Sequence, residues 1–339
     1  MQAIARKVQY LNPDIITFQE IPFDLSYEMT NFVNAFLPGY ALARNSGTDG
    51  SVRSVIASRF PITRSTKWLD GASLVPFGYT NSPSTFTRDL FEAEIAVLGL
   101  PQPLHVFTTH LKATTIFNDY TNASIEAARR AAEAACISNF FVTGFLTTNA
   151  LRPYILTGDM NEDIFRPATN VYATGYPIQK LVSPPTGLQL TTPTNPVTGQ
   201  DFTVSIQTTL DARFDYILPC GLLFSNIASS QVFRSDKLAP LPPNLFSNDS
   251  RTASDHLPVL MMFNHPYDKP FRLTSIARSN LNVTLQWESV LGQPYRVNTA
   301  SNLTVWTVLA SNLTATGTSY TFSTNVSGNR RFFRVYRVP

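Results

Sequence analysis

Several apolar runs in this sequence end on side chains that can carry charge or move a proton. Glu20 follows Ile15-Ile16-Thr17-Phe18-Gln19, and His110 follows Leu104-His105-Val106-Phe107-Thr108-Thr109. Asp159 and Asn161 follow Tyr154-Ile155-Leu156-Thr157-Gly158, Asp215 sits in Arg213-Phe214-Asp215-Tyr216-Ile217, and Asp255-His256 precedes Leu257-Pro258-Val259. A single acid at a strand end is an ordinary turn or cap residue. Such positions from five well-separated stretches read instead as a site, because strand ends at one rim of a layered fold are where sites assemble. Carboxylate and amide oxygens without a thiolate suit a hard cation: Mg²⁺, Mn²⁺ or Ca²⁺. A histidine held by a carboxylate keeps one tautomer and favours its cationic form.

The elements that must position these groups are legible from periodicity. Ile4, Val8 and Leu11 recur at helical spacing until Asn12-Pro13 stops them, so the chain opens in an amphipathic helix. Residues 14–20 then read as a buried strand, and a second helix runs from about Leu25 to Phe36. Residues 54–58, 90–98, 104–109, 153–157, 214–218 and 257–263 have the composition of strands. Asn122 to Phe141 is the clearest helix, Ala-rich, with Glu126, Arg129, Arg130 and Glu133 expected on its outer face. Asp163 to Thr203, rich in Pro, Thr and Gly, reads as surface loop. Helices alternating with buried strands imply layers of helix on sheet.

Composition narrows the class. The chain has 339 residues, 43% hydrophobic and 14% charged, enough to bury one large core and a small one. No apolar run approaches the roughly 20 residues of a membrane-spanning helix. The formal charge of +3 permits a nucleic-acid partner without signalling one. Low charge with abundant Ser, Thr and Asn reads as an exported chain, secreted or at the cell surface. Cys136 and Cys220 read as two small buried residues, with pairing across the fold left open. His105 and His265 lie outside the polar strand ends and read as structural. Arg44, Arg53 and Arg88 are able to meet a phosphate, yet solvated or paired arginines are as common. No Gly-x-Ser-x-Gly or Gly-x₄-Gly-Lys occurs, which excludes the serine-hydrolase elbow and the P-loop.

The segments Asn12-Pro13-Asp14-Ile15-Ile16-Thr17-Phe18-Gln19-Glu20, Thr109-His110-Leu111, Gly158-Asp159-Met160-Asn161, Phe214-Asp215-Tyr216-Ile217 and Ser254-Asp255-His256-Leu257-Pro258-Val259 stand in the order of the endonuclease/exonuclease/phosphatase superfamily. The resemblance covers about residues 4–263, and Ala57-Ser58-Arg59-Phe60-Pro61-Ile62 also resembles a sheet segment of that family. It implies an α/β (α+β) four-layer sandwich, two packed mixed β-sheets flanked by helices, and metal-dependent hydrolysis of phosphoesters. Carried over by position, Glu20 would ligate the metal and Asp255 would help hold metal or water on the opposite side. Asp159 would orient or deprotonate the attacking water, with Asn161 holding that geometry. His256, set by Asp215, would hydrogen-bond a phosphoryl oxygen, and His110 would contact phosphate. Such a set suits a phosphodiester, whose anion repels nucleophiles and whose alkoxide leaves poorly.

The resemblance departs at the front. Family members begin with an Asn-bearing strand inside a sheet, whereas this sequence starts in the following helix. The expectation is that this strand, with any export signal, lies upstream. A chain lacking it altogether would be a weak catalyst or a binding protein on the same scaffold. After His265-Pro266-Tyr267-Asp268-Lys269-Pro270 the pattern turns to short alternating strands, so a catalytic domain over 1–266 and a β-sandwich accessory module over 267–339 are expected. That module resembles the tails of secreted bacterial enzymes and reads as an appendage for binding a surface or carbohydrate. The leading substrate reading is DNA or RNA, with lipid or inositol phosphates as the alternative.

Overall fold

Leu90–Ile95 and Leu104–His110 are buried on both faces, and such continuous apolar runs make central strands. The computed structural model, which describes residues 1–25, 27–47, 49–113, 120–166, 176–268, 270–327 and 330–338, places both in a five-stranded sheet. Its strands are β4 (Ile62–Trp68), β5 (Leu90–Ile95), β6 (Leu104–His110), β7 (Tyr154–Asp159) and β8 (Asp215–Pro219), in that spatial order. Only β6 and β7 run parallel; the remaining neighbours are antiparallel, so the sheet is mixed.

A second layer faces it. The strands β1 (Ile15–Pro22), β2 (Ala41–Arg44) and β3 (Val52–Ser58) form one antiparallel piece in the order β1-β3-β2. A separate antiparallel pair joins β9 (Ile227–Val232) to β10 (Val259–Phe263). Polar pegs cross between the layers: Gln19 Nε2 donates to Thr108 Oγ1 at 2.8 Å, and Thr157 Oγ1 donates to Thr17 Oγ1 at 3.1 Å.

Helices cover both outer surfaces. α1 (Gln2–Leu11) and α2 (Glu28–Phe36) pack Ala5, Val8, Met29, Phe32 and Val33 against Val55 and Ala57 of β3. α1 stops where Asn12 enters the left-handed region at φ 48°. On the other side α3 (Tyr120–Asn139) runs into a π-helical segment, Phe140–Phe145. The rings of Phe141 and Phe145 meet Phe107 of β6 at centroid distances of 5.1 and 5.0 Å, both edge to face. The architecture is thus helix, sheet, sheet, helix, as the resemblance implied.

Two expectations fail. Arg130 and Glu133, expected on the solvent face of α3, are fully buried. Arg130 Nε meets Glu162 Oε2 at 3.1 Å and its Nη1 donates to Lys112 O at 2.9 Å. Glu133 accepts from the Thr87 and Lys112 amides at 2.8 and 2.7 Å. These charges are inside because they satisfy loop backbone that has no strand partner. The stretch 163–203, expected as surface loop, instead holds a short helix, Pro177–Leu181, and buries Ile178, Leu181 and Leu188 in the core, because its apolar residues pack inward between the Pro and Gly turns. Its residues 167–175 lie outside the described residues, as does Lys269 of the boundary stretch.

The chain divides into two compact units: Met1–Ala96 with Leu104–Ala150 and Tyr154–Phe263, and Val97–Pro103 with Leu151–Pro153 and Asn264–Pro339. The second unit is all-β in its C-terminal part. One sheet orders β11 (Leu273–Ser279), β12 (Asn282–Glu288) and β15 (Ser319–Asn325) as β11-β12-β15; the other orders β13 (Pro294–Ala300), β14 (Thr307–Thr314) and β16 (Phe332–Arg337) as β14-β13-β16. Val283, Leu285 and Trp287 of the first meet Tyr295 and Val297 of the second in one core. Among the described residues no helix is long and apolar enough to cross a membrane.

Candidate active site

Strand register puts three of the polar groups in a row. His110, at the end of β6, pairs with Asp159 at the end of β7, and Asp159 pairs with Asp215 at the start of β8. The side chains follow. His110 Nε2 lies 3.4 Å from Asp159 Oδ2, and His256 Nε2 lies 3.9 Å from the same oxygen. His256 Nδ1 is 2.9 Å from Asp215 Oδ2, so an Nδ1–H donates there and fixes the ring.

Gly158 makes this register possible. Its φ is 149°, and a Cβ there would stand 1.9 Å from the carbonyl oxygen of Thr109. Beyond it the chain turns sharply at Asn161, φ 50°. The Asn161 amide donates to Asp159 Oδ1 at 2.8 Å and its Nδ2 donates to Leu111 O at 3.1 Å. Asp159 is therefore held by one oxygen while the other faces both imidazoles.

Glu20 reaches the same rim by an irregularity. The pairing of β1 with β3 shifts between Phe18 and Ile21, and Glu20 takes φ 59° in that bulge. Its carboxylate is 65% exposed, with Oε1 at 4.0 Å from His110 Nε2. Asp255 is exposed beside His256; Ser254 Oγ lies 3.5 Å from its Oδ1, and its carbonyl accepts from the Ile206 amide at 2.8 Å. Among the described residues, the group of potential metal ligands whose atoms lie within 4.8 Å of one another is Asp159, Asp215 and His256. Neither Glu20 nor Asp255 belongs to that trio.

The electrostatics divide the two histidines. Burial holds His110 far below the ordinary imidazole range, and the charges of Arg88, His256 and Lys112 add to the effect, so His110 stays neutral. Its buried Nδ1 has no partner among the described residues. Burial also works against charge on His256, but Asp215, through charge and hydrogen bond, and then Asp159 and Asp255 outweigh it. His256 is raised well above the ordinary value and is cationic at neutral pH. Asp159 is pushed up by burial, with Asp215 and Glu20 adding and His256 opposing. A buried carboxylate crowded by other carboxylates is a place that a divalent cation would relieve, and every donor at the rim apart from the imidazoles is a hard oxygen. Cys136 and Cys220 are buried free thiols away from these contacts.

Of the seven residues expected at the site, Asp159, Asn161, His110, Asp215 and His256 are joined by direct contacts, Glu20 stands at the rim, and Asp255 flanks His256. Three supporting residues were missed or left out of the site. Arg88 donates from Nη1 to His110 O and Leu111 O at 3.1 and 3.2 Å and pairs with Asp49 at 2.9 Å. Thr203 Oγ1 accepts from the amides of Phe214 and Asp215 at 3.0 and 3.3 Å. Arg213 is fully buried with its guanidinium 4.4 Å from the Tyr216 ring, and its backbone amide donates to Asp163 Oδ2 at 2.8 Å. Two of them had a signal in the sequence: Arg88, weighed there as a phosphate contact, and Arg213, a charge immediately before an otherwise apolar strand.

A model of the Endonuclease/Exonuclease/phosphatase family matches residues 1–256. The chain belongs to that family. It is accordingly an enzyme of phosphoester hydrolysis. A family protein from Leptotrichia buccalis C-1013-b aligns with 78% of this chain and 92% of its own at 17% identity and a TM-score of 0.50, which shows the shared fold. The 3′-5′ exonuclease NExo from Neisseria meningitidis aligns over 77% and 96% at 15% identity and 0.49. Truncated Caenorhabditis elegans TDP2 aligns over 76% and 87% at 17% identity and 0.46. No protein of curated function matches the chain by sequence.

Proposed function

We propose that this enzyme hydrolyses phosphodiester bonds of DNA or RNA with a divalent cation, Mg²⁺ or Mn²⁺. The observation that carries the reading is the registered row His110, Asp159, Asp215, with His256 fixed on Asp215 at 2.9 Å. Glu20 would hold the cation, with Asp255 supporting it or a water; a bound cation reduces the repulsion between nucleophile and phosphate and polarises a phosphoryl oxygen. Asp159 takes a proton from the attacking water through Oδ2, its other oxygen being held by the Asn161 amide. Cationic His256 presents Nε2–H to the oxygen on which charge develops, and Asp215 keeps the ring charged and oriented. Neutral His110 offers a further hydrogen bond to the phosphate.

The test uses bis-p-nitrophenyl phosphate and, separately, single- and double-stranded oligonucleotides, with Mg²⁺ or Mn²⁺ and then with EDTA. Metal-dependent turnover of both, abolished in Asp159→Ala, is the expected result. Turnover that survives EDTA or Asp159→Ala would sink the mechanism. Consumption of the small diester with every oligonucleotide intact would remove nucleic acid as the substrate.

A further inference from the structure

From Pro270 onward the chain contains seven arginines, no lysine and a single acid, Glu288. That stretch carries a formal +6 against +3 for the whole chain, which leaves −3 on the residues before it. Glu288 lies on β12, in the β11-β12-β15 sheet, where its Oε2 accepts from the Arg272 amide at 3.2 Å. The β14-β13-β16 sheet therefore has no acid on any of its strands.

Alternation sorts that sheet into two faces. Tyr295, Val297, Phe333 and Val335 point into the core, so Arg296, Arg334, Tyr336 and Phe332 point away from it. Arg296 pairs in register with Tyr336, and Arg334 lies one pair further along on the same face. Each arginine is laid over a ring: Arg334 Cζ stands 3.9 Å from the centroid of Trp306, Arg296 5.3 Å from Tyr336, and Arg330 5.4 Å from Phe332. Among the described residues the guanidinium groups of Arg296, Arg330 and Arg334 make no hydrogen bond and no ion pair. A guanidinium positioned over an aromatic ring by a cation–π contact still has N–H donors for an oxyanion.

We propose that this outer face is a docking surface for a single strand of nucleic acid. Charge complementarity selects a polyanion. Bases stack on guanidinium planes as well as on aromatic rings, so arginines laid over rings favour a polyanion that carries bases. The choice of nucleic acid among polyanions rests on the proposed phosphodiesterase function; the arginine face itself does not.

The test measures binding of the full-length chain to a fluorescein-labelled oligothymidylate by anisotropy, in EDTA, across a range of NaCl concentrations. Affinity should fall steeply with salt. In the double variant Arg296→Gln/Arg334→Gln it should drop at least about tenfold, and the log-log salt slope should shrink by roughly 1.4, at about 0.7 per lost phosphate contact. Arg272→Gln/Arg278→Gln, on the other sheet, should change affinity less than about twofold. Trp306→Leu should weaken the oligonucleotide but not dextran sulfate, because stacking contributes only where there are bases. An equal loss in both arginine pairs, an unchanged affinity in Arg296→Gln/Arg334→Gln, or tighter binding of dextran sulfate than of the oligonucleotide would overturn the proposal. Circular dichroism and melting of each variant establish that it is folded. Hydrolysis of bis-p-nitrophenyl phosphate, measured alongside, should not change in the arginine variants. If that turnover is absent while the binding pattern holds, the hydrolytic reading fails and the docking surface stands.

Discussion

Gly158→Ala tests whether strand register positions the chemistry. The new Cβ would lie 1.9 Å from Thr109 O, whereas a carbon and a carbonyl oxygen ordinarily approach no closer than about 3.3 Å. The parallel strands β6 and β7 must therefore part by roughly 1.5 Å next to the His110–Asp159 pair. A displacement of about 1 Å at reacting groups costs on the order of 10²-fold in rate, so kcat should fall by at least that factor. Overpacking of this kind destabilises by about 1–3 kcal/mol, which corresponds to roughly 2–12 °C in Tm for a domain of this size. Gly78→Ala is the control: its φ of 88° imposes backbone strain, but nothing lies within 4 Å of its Cβ. It should lower Tm comparably and leave kcat within about twofold. The assay is turnover of bis-p-nitrophenyl phosphate beside differential scanning calorimetry. If Gly158→Ala melts lower yet keeps wild-type kcat, the register of β6 on β7 does not set the catalytic geometry.

Asp215→Asn removes the charge from the 2.9 Å bond to His256. A charge-assisted bond contributes about 1.5–3 kcal/mol, so kcat should fall roughly 10- to 150-fold with little change in KM, read by steady-state kinetics. Glu133→Ala strands the Thr87 and Lys112 amides without acceptors, at about 1–3 kcal/mol each. Urea unfolding should show a loss of roughly 2–6 kcal/mol. Burial raises Asp89 to about 6 despite the hydrogen bonds from Asn45. Because the folded state binds the proton more tightly than the unfolded chain, this group's contribution is full at low pH and is lost as pH rises toward 6. Asp89→Asn should abolish that decline, which amounts to roughly 3 kcal/mol, in urea titrations between pH 4 and 7.

Among the strands, those that stand out most plainly in the sequence are buried on both faces. Leu104–Thr109 and Tyr154–Thr157 read as strands for that reason, and the polar groups that end them stood out against the apolar background. β4 escaped notice because it is an edge strand: Ile62-Thr63-Arg64-Ser65-Thr66-Lys67-Trp68 keeps its charges on an open side. β9, Ile227-Ala228-Ser229-Ser230-Gln231-Val232, belongs to a two-stranded pair and has little apolar alternation. Glu133 and Arg130 deceived because a charge at a helical position has the same spacing whether it meets water or a loop backbone. The row His110, Asp159, Asp215 depends on pairing between distant segments, and local pattern carries no record of register.

The bulge at Gln19–Glu20 separates two kinds of selective constraint. Gln19 pegs the two layers together through Thr108, while Glu20, next to it, belongs to neither the paired ladder nor the core. A residue that tolerates φ 59°, such as Asn, Asp or Gly, can therefore replace Glu20 without disturbing the pairing of β1 with β3, so the ligand chemistry at this edge is free to drift within that conformational limit. An insertion or deletion at the bulge has no such freedom, since it would swap the duties of the two neighbours at a stroke.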